Sequence, residues 1–272
     1  LCFQDYGKSF YFGFGHKPFE AACCKEKRCF MTDKRSIIPI EDFDAVLMHL
    51  RPLKKKYLPK KRKRHQRWVM YEREPPPYSS NKPRDFDGVF NWTMTYRRDS
   101  DIINGYGAVY KKKDFTIEDF SNVERLSDSL DSVMKTKNKM VAWFVSNCKV
   151  GSKRLEYVKE LQMFIPVDIY GKCGPLKCGT RRREESCNKK IEKEYKFYLS
   201  FENNFCKDYV TEKFYKILSY YIIPIVRGSG DYAAIAPPHS YINVEDFRIP
   251  RDLANYLYYL HRNETAYMEY FK

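Results

Sequence analysis

Five side chains within residues 195–226, YKFYLSFENNFCKDYVTEKFYKILSYYIIPIV, have the types and spacing to hold a phosphorylated ligand: Glu202, Asn203, Tyr209, Glu212 and Lys213. A carboxylate accepts hydrogen bonds from hydroxyls through two oxygens, an amide both donates and accepts, and a lysine offers a point charge to an anion. The elements around them follow from the apolar pattern. Residues 197–201 read as a strand, 202–208 as a polar loop, 209 to about 220 as a helix, and 222–226 as a second strand. Val210, Phe214, Ile217, Leu218 and Tyr221 form one stripe at helical period. Asp208 is placed to cap that helix, and Pro224 argues that it has ended. The polar group therefore collects where a strand's C-terminal end meets a helix N-terminus, the place where nucleotide-type ligands bind in open α/β sheets.

At these residues a resemblance becomes specific. SFENNFCKDYVTEKFYKIL resembles the signature of the α1,3-fucosyltransferases, inverting enzymes that move L-fucose from GDP-fucose to N-acetylglucosamine. FNWTMTYRRDSDIINGYG (90–107), VAWFVSNCKVGSKRLEYVKEL (141–161), VDIYGKCG (167–174) and PPHSYINVEDF (237–247) resemble further family blocks, in family order. The resemblance runs, with gaps, from about Cys23 to Phe271.

Composition sets wider bounds. The 272 residues are 43% hydrophobic and 17% aromatic, enough for a packed core and against global disorder. No apolar run approaches the roughly 18 residues of a membrane span, and no signal peptide opens the chain. The family carries an N-terminal membrane anchor and stem, which the resemblance places upstream of Leu1, and it continues past Phe271. The net charge of +15 is concentrated in residues 54–67, KKKYLPKKRKRHQR, with six Lys, three Arg and no acid. Such a run reads first as a solvated loop, and otherwise as a nuclear-import, nucleic-acid or acidic-surface element. No zinc-finger, basic-zipper or RNA-recognition pattern accompanies it. The nine cysteines suit disulfides in an oxidising compartment better than zinc, because no C-x2-C pair occurs and no histidine lies among Cys173, Cys178, Cys187 and Cys206. Cys23, Cys24 and Cys29 form another group. Sequons stand at Asn91 and Asn263, the first within a family block and so expected to be structural.

The second half reads as repeated βα units. A strand over 140–146, a helix from about 153 with Leu155, Val158 and Leu161 inward, a strand over 167–170, the signature unit, a strand around 241–244 and a helix opened by Pro250 imply a parallel doubly wound sheet. The first half is less regular, with strands over 45–50 and 68–71 and a turn-rich loop at PPPYSSNKP (75–83). The expected organisation is an acceptor-side domain, 1–126, a linker, 127–139, and a GDP-fucose-binding domain, 140–272. The resemblance implies the GT-B architecture, two facing Rossmann-like α/β domains with the active site in the cleft.

The same resemblance assigns roles. Sugar transfer from a nucleotide diphosphate needs a base for the acceptor hydroxyl and cations for the leaving diphosphate. Arg154, which follows the SN motif, and Lys213, which closes YVTEK, are the candidate cations. Glu212 is expected to accept from the ribose hydroxyls, with Tyr209 and Asn203 completing the donor wall and Glu202 lining the site or fixing its loop. The base matches Glu74, in YEREPPPYSS, where a proline replaces the family's serine and Glu72 lies two residues away. Asp99 and Asp101 are alternatives, expected instead to order their loop through Arg97 and Arg98. Two D-x-D pairs, Asp85/Asp87 and Asp99/Asp101, lie away from the signature, so metal-independent chemistry is expected, with mild Mn²⁺ stimulation at most.

The leading reading is a Golgi-lumenal, type II α1,3-fucosyltransferase acting on glycoprotein glycans, closest to invertebrate enzymes that modify the innermost N-acetylglucosamine of the N-glycan core. A Lewis- or LacdiNAc-type antennal enzyme and an inactive nucleotide-sugar-binding homologue are the alternatives. A basic nucleic-acid protein is favoured only by residues 54–67.

Overall fold

In the first half, residues of both parities are buried along the same strand: Val46 and Met48 on one side, Ala45 and Leu47 on the other. A strand of this kind must be covered on both faces, which is the condition of a parallel sheet. The computed structural model describes residues 2–4, 13–109, 132–179 and 184–271. The chain divides into two compact units, residues 1–105 and 106–272.

The N-terminal unit is a five-stranded parallel sheet in sequential order: β1 (Cys2–Gln4), β2 (Ala45–His49), β3 (Arg67–Glu72), β4 (Trp92–Thr95) and β5 (Ile102–Ile103). Phe43, Val46, Met48, Leu50, Trp68, Met70 and Phe86 pack on one face. Met31, Leu47, Val69 and Tyr71 pack on the other. The strands expected over 45–50 and 68–71 are present. β4 and β5 were not legible because their side chains alternate little and, apart from buried Thr95, are half-exposed or exposed. The turn-rich loop contains two short 3-10 turns, Pro76–Tyr78 and Pro83–Phe86.

The C-terminal unit is a second parallel sheet, ordered β10–β9–β8–β6–β7, with β6 (Lys139–Phe144), β7 (Val167–Tyr170), β8 (Tyr195–Phe201), β9 (Ile223–Arg227) and β10 (Ile242–Asn243). On one face Val158 and Leu161 pack with Phe197 and with Leu253, Leu257 and Leu260 of the helix Pro250–Arg262. Ile191, Tyr195, Tyr198, Ile217 and Ile222 fill the other face. Each fully buried Leu or Phe contributes about 1.5–3 kcal/mol of transfer free energy. The strand order reverses direction between β6 and β8, which makes the gap beyond their C-terminal ends the topological switch point.

Two sequence expectations need correction here. The helix expected over 209–220 is a single turn, Glu212–Tyr215, followed by a 3-10 turn, Ile217–Ser219. Its cap is Thr211, not Asp208, whose φ of +63° places it in the left-handed region and outside any helix. The stripe was real, since Val210, Phe214 and Ile217 are buried, but a bent segment meets the core with the same residues. The expected strand at 241–244 shrinks to two residues because Val244 opens a 3-10 turn capped by Asn243. Residues 127–131 of the expected linker lie outside the described residues.

Disulfides Cys148–Cys173 and Cys178–Cys187 are formed, the first joining the segments after β6 and β7. Cys206, grouped with the bridged cysteines on sequence, belongs to neither of these two bridges, and Cys23, Cys24 and Cys29 are free thiols. Among the described residues no helix is long and apolar enough to cross a membrane. Asn91 does carry structure: its Oδ1 accepts from the Trp68 backbone N–H at 2.9 Å and from Arg62. Asn91→Ala is expected to lower unfolding free energy in urea by about 1–2 kcal/mol, because that N–H loses its acceptor. Replacing Cys148 and Cys173 together by Ser reopens a loop of sequence separation 25 and is expected to cost about 3 kcal/mol in the same experiment.

Candidate active site

At the switch point the loops after β6 and β8 are stitched together. Ser152 donates from its backbone N–H to the Asn203 carbonyl at 3.2 Å and from its hydroxyl to the Glu202 carbonyl at 2.8 Å. Arg154 opens the helix Arg154–Leu161 and is 4% exposed. Its Nη1 donates to the Phe201 carbonyl at 2.7 Å, its Nη2 to the Asn147 carbonyl at 3.2 Å, and its guanidinium lies over the Trp143 ring. Gly151 permits the approach, since a Cβ there would stand 2.6 Å from Asn204 Oδ1. Asn203 Oδ1 and Asn204 Nδ2 are buried with no hydrogen-bond partner among the described residues. An amide in that state costs about 1–3 kcal/mol until something polar reaches it.

Glu202 is fully buried and both its oxygens are engaged. Oε1 accepts from the Thr211 N–H at 2.7 Å and from the Thr211 hydroxyl at 2.9 Å. Oε2 accepts from that hydroxyl at 2.9 Å and lies 3.2 Å from Lys213 Nζ. Burial raises the Glu202 carboxyl above its ordinary range, while the Lys213 ammonium and the Thr211 donors oppose the rise. Glu202 therefore faces the protein and positions Thr211 and Lys213. Lys213 also meets the exposed Glu212 carboxylate at 3.2 Å, and Tyr209 is buried with its ring edge-on to Tyr106. Arg154, Glu202, Asn203 and Lys213 are thus joined through consecutive positions at the end of β8. The one-turn helix supplies little macrodipole, so an anion held here would depend on the side-chain cations more than the longer expected helix implied.

Glu74 lies in the N-terminal unit. There a cavity of about 340 Å³ is lined by Glu74 together with Leu50, Met70, Glu72, Ser79 and Tyr96. Glu72 ends β3 and is 6% exposed. Its Oε1 accepts the backbone N–H groups of Arg73 at 3.0 Å and Glu74 at 2.9 Å, folding the chain so that Glu74 borders the cavity. His49 Nε2 stands 3.6 Å from the same oxygen. The Glu74 carboxylate has no ion-pair partner among the described residues. The two alternatives are already engaged. Asp99 is paired with Arg97, as expected, but Asp101 accepts from the Thr93 N–H and hydroxyl at 2.8 and 2.9 Å, and these bonds hold its carboxyl below the usual range.

Sequence reasoning missed Thr211, Ser152, Glu72 and Arg227. Arg227 Nη1 donates to the Ser152 carbonyl at 2.7 Å and its guanidinium lies between the rings of Tyr157 and Phe205. Only Thr211 had a readable signal, a capping residue directly before Glu-Lys-Phe.

The chain resembles known proteins along most of its length. The family model "Fucosyltransferase, N-terminal" matches residues 5–107, and "Glycosyltransferase family 10 (fucosyltransferase) C-term" matches residues 134–272. The chain is 45% identical over 199 residues to glycoprotein 3-alpha-L-fucosyltransferase A of Drosophila melanogaster, covering 72% of this chain and 38% of that protein. It is 36% identical over 267 residues to alpha-(1,3)-fucosyltransferase C of the same organism, covering 91% and 60%. It is 34% identical over 270 residues to human 3-galactosyl-N-acetylglucosaminide 4-alpha-L-fucosyltransferase FUT3, covering 94% and 69%. The chain therefore spans less than two thirds of the two fly relatives. A crystal structure of an alpha1,3-fucosyltransferase with GDP-fucose superposes with a TM-score of 0.58 at 20% identity, over 88% of this chain and 71% of that one. Two parallel-sheet α/β units and this superposition make the fold GT-B-like. With both domain models matched and two thirds of a human relative covered, the chain belongs to glycosyltransferase family 10, the fucosyltransferases.

Proposed function

We propose that the chain transfers L-fucose from GDP-fucose to the 3-hydroxyl of N-acetylglucosamine, with inversion, on the N-glycan core of glycoproteins in the Golgi lumen. The observation that carries the donor half is the switch-point site, where Arg154 and Lys213 are tied to consecutive residues, Phe201 and Glu202. The family relatives carry the rest, and the fly relative that is 45% identical over 199 residues is named for glycoprotein 3-alpha-fucosylation. Two disulfides fit an oxidising compartment such as the secretory pathway.

In this mechanism Lys213 exchanges one carboxylate for the donor. Its contact with Glu212 is solvent-exposed and worth about 0–1 kcal/mol, so a diphosphate displaces it easily. Glu202 cannot leave, because Thr211 holds it from two donors. Lys213 then faces the leaving oxygen, and Glu212 is released to accept from the ribose hydroxyls. Arg154 contributes its charge from beneath the loops, and the unpartnered amide atoms of Asn203 and Asn204 gain polar partners from the nucleotide. Glu74 takes the proton as the acceptor oxygen attacks the anomeric carbon. The bond to the β-phosphate breaks on the opposite face, and GDP departs with charge neutralised rather than protonated. No divalent ion is required in this reading: Asp85, Asp99 and Asp101 are engaged with Lys82, Arg97 and Thr93.

The deciding experiment incubates the protein with GDP-fucose and a panel of N-glycan core glycopeptide, LacNAc and LacdiNAc, and follows mass gain and linkage. Transfer to the core glycopeptide in EDTA is expected; abolition by EDTA would reject the metal-free scheme. Glu74→Gln is expected to lower kcat by about 10²–10⁴-fold while leaving GDP affinity near the parent value, and a parent rate would remove Glu74 from the base role. Lys213→Ala is expected to weaken GDP binding in calorimetry and to lower the melting temperature, because the buried Glu202 carboxylate loses the ammonium that faces it. Arg154→Ala should weaken GDP binding and also lower the melting temperature, because two carbonyls lose their donor.

A further inference from the structure

The segment between β2 and β3 carries nine basic residues in positions 54–67, and it is built rather than loose. Asn81 Nδ2 donates to the Leu50 and Leu53 carbonyls, each at 2.6 Å, where the segment leaves the sheet. Gln66, fully buried, donates to the Ile40 and Phe43 carbonyls at 2.7 and 2.8 Å where it returns. Between these anchors Arg62 donates to the Val89 carbonyl at 2.9 Å and covers the Trp68 ring, and Lys63 pairs with Asp42. Arg67 donates to the His65 carbonyl and lies over Trp92.

Six cations are left over. Lys54, Lys55, Lys56, Lys60, Lys61 and Arg64 are exposed, and none pairs with a carboxylate among the described residues. Fixing so many like charges on an ordered segment costs electrostatic free energy that an opposite charge would offset. The composition of the surplus narrows the partner. The guanidinium forks of Arg62 and Arg67, which suit bidentate capture of phosphate or sulfate, are spent on carbonyls and rings. Five of the six free groups are ammonium point charges, which attract carboxylates without demanding one geometry. The track also begins at the cavity beside Glu74, since Leu50 and Pro83 line that cavity and Lys55 lies over the Phe86 ring that closes the Pro83–Phe86 turn.

We infer that Lys54, Lys55, Lys56, Lys60, Lys61 and Arg64 form a docking track for an acidic polypeptide segment of the acceptor glycoprotein, so that the peptide around the glycan selects the substrate. This rests on the transfer reaction proposed above. Two glycopeptides with the same glycan test it, one flanked by Asp and Glu and one by Asn and Gln, with transfer and fluorescence anisotropy both measured. The acidic peptide is expected to show about tenfold higher kcat/KM at low salt, mostly through KM, with the advantage fading near 0.5 M NaCl. Lys60→Glu/Lys61→Glu/Arg64→Glu is expected to erase the preference while neutral-peptide turnover and GDP affinity stay unchanged. Equal kcat/KM for the two peptides, or a preference that survives in the triple variant, overturns the inference. So does tighter binding of polyuridylate or phosphatidylserine vesicles than of the acidic peptide. If neither peptide is fucosylated, yet the acidic one binds in a salt-sensitive manner that the variant loses, the transfer reading fails and the track stands.

Discussion

A fully buried carboxylate organises the C-terminal site. Glu202 has no water to solvate it, so its charge is tolerable only while Thr211 and Lys213 face it. That requirement runs both ways. Thr211 must cap the Glu212–Tyr215 turn at a fixed place, and Lys213 must point back toward β8 rather than out to solvent. Removing the lysine's aliphatic freedom in this way pre-orders the cation that a leaving diphosphate would meet, and such preorganisation is where electrostatic catalysis gains most. The rest of the site follows from where β8 ends. Its last carbonyl takes Arg154, its next carbonyl takes Ser152, and the amide after that awaits a ligand.

Parallel sheets impose the same logic on the N-terminal unit. With both faces of β2 and β3 buried, chemistry can emerge only where strands end. β3 ends in a buried glutamate that spends one oxygen on the next two backbone N–H groups. The turn this creates, rather than the glutamate itself, decides where Glu74 stands. Glu202 and Glu72 are thus parallel devices: a buried acid at a strand terminus that fixes the residues following it.

Much of this was legible in the sequence, and the failures have physical causes. Long apolar runs announced β2, β3, β6, β7, β8 and β9 because parallel strands are buried on both sides. Pro250 and the Leu253, Leu257 and Leu260 stripe announced the 13-residue helix. Periodicity misled at residues 209–220, where a one-turn helix and a 3-10 turn present the same apolar residues to the core as a continuous helix would. β4 and β5 were silent because they lack a buried apolar run: only Thr95 of β4 is buried, and both residues of β5 are exposed. The candidate site residues came from motif likeness, which said nothing of their connections. That Glu202 turns inward to Thr211, while Glu212 turns outward, depends on burial, which adjacent letters of one type cannot disclose.

The distribution of cations carries a further regularity. Arg62, Arg67, Arg154 and Arg227 each donate to a main-chain carbonyl and each lie over an aromatic ring. A weakly hydrated, planar guanidinium can satisfy a carbonyl and stack on a ring together, whereas a compact ammonium holds its water and stays outside. In a chain that is 17% aromatic, rings are always near a strand end, so arginines are drawn into structure. Lysine can be drawn in as well, since buried Lys137 donates to the Glu192 and Tyr195 carbonyls, but Lys54, Lys55, Lys56, Lys60 and Lys61 stay exposed. Lys213 is held by two carboxylates and a hydroxyl, which fixes the place where it would meet a diphosphate. The surplus charge of residues 54–67 thus stays at the surface, while the arginines that build the loops are matched by carbonyls and rings.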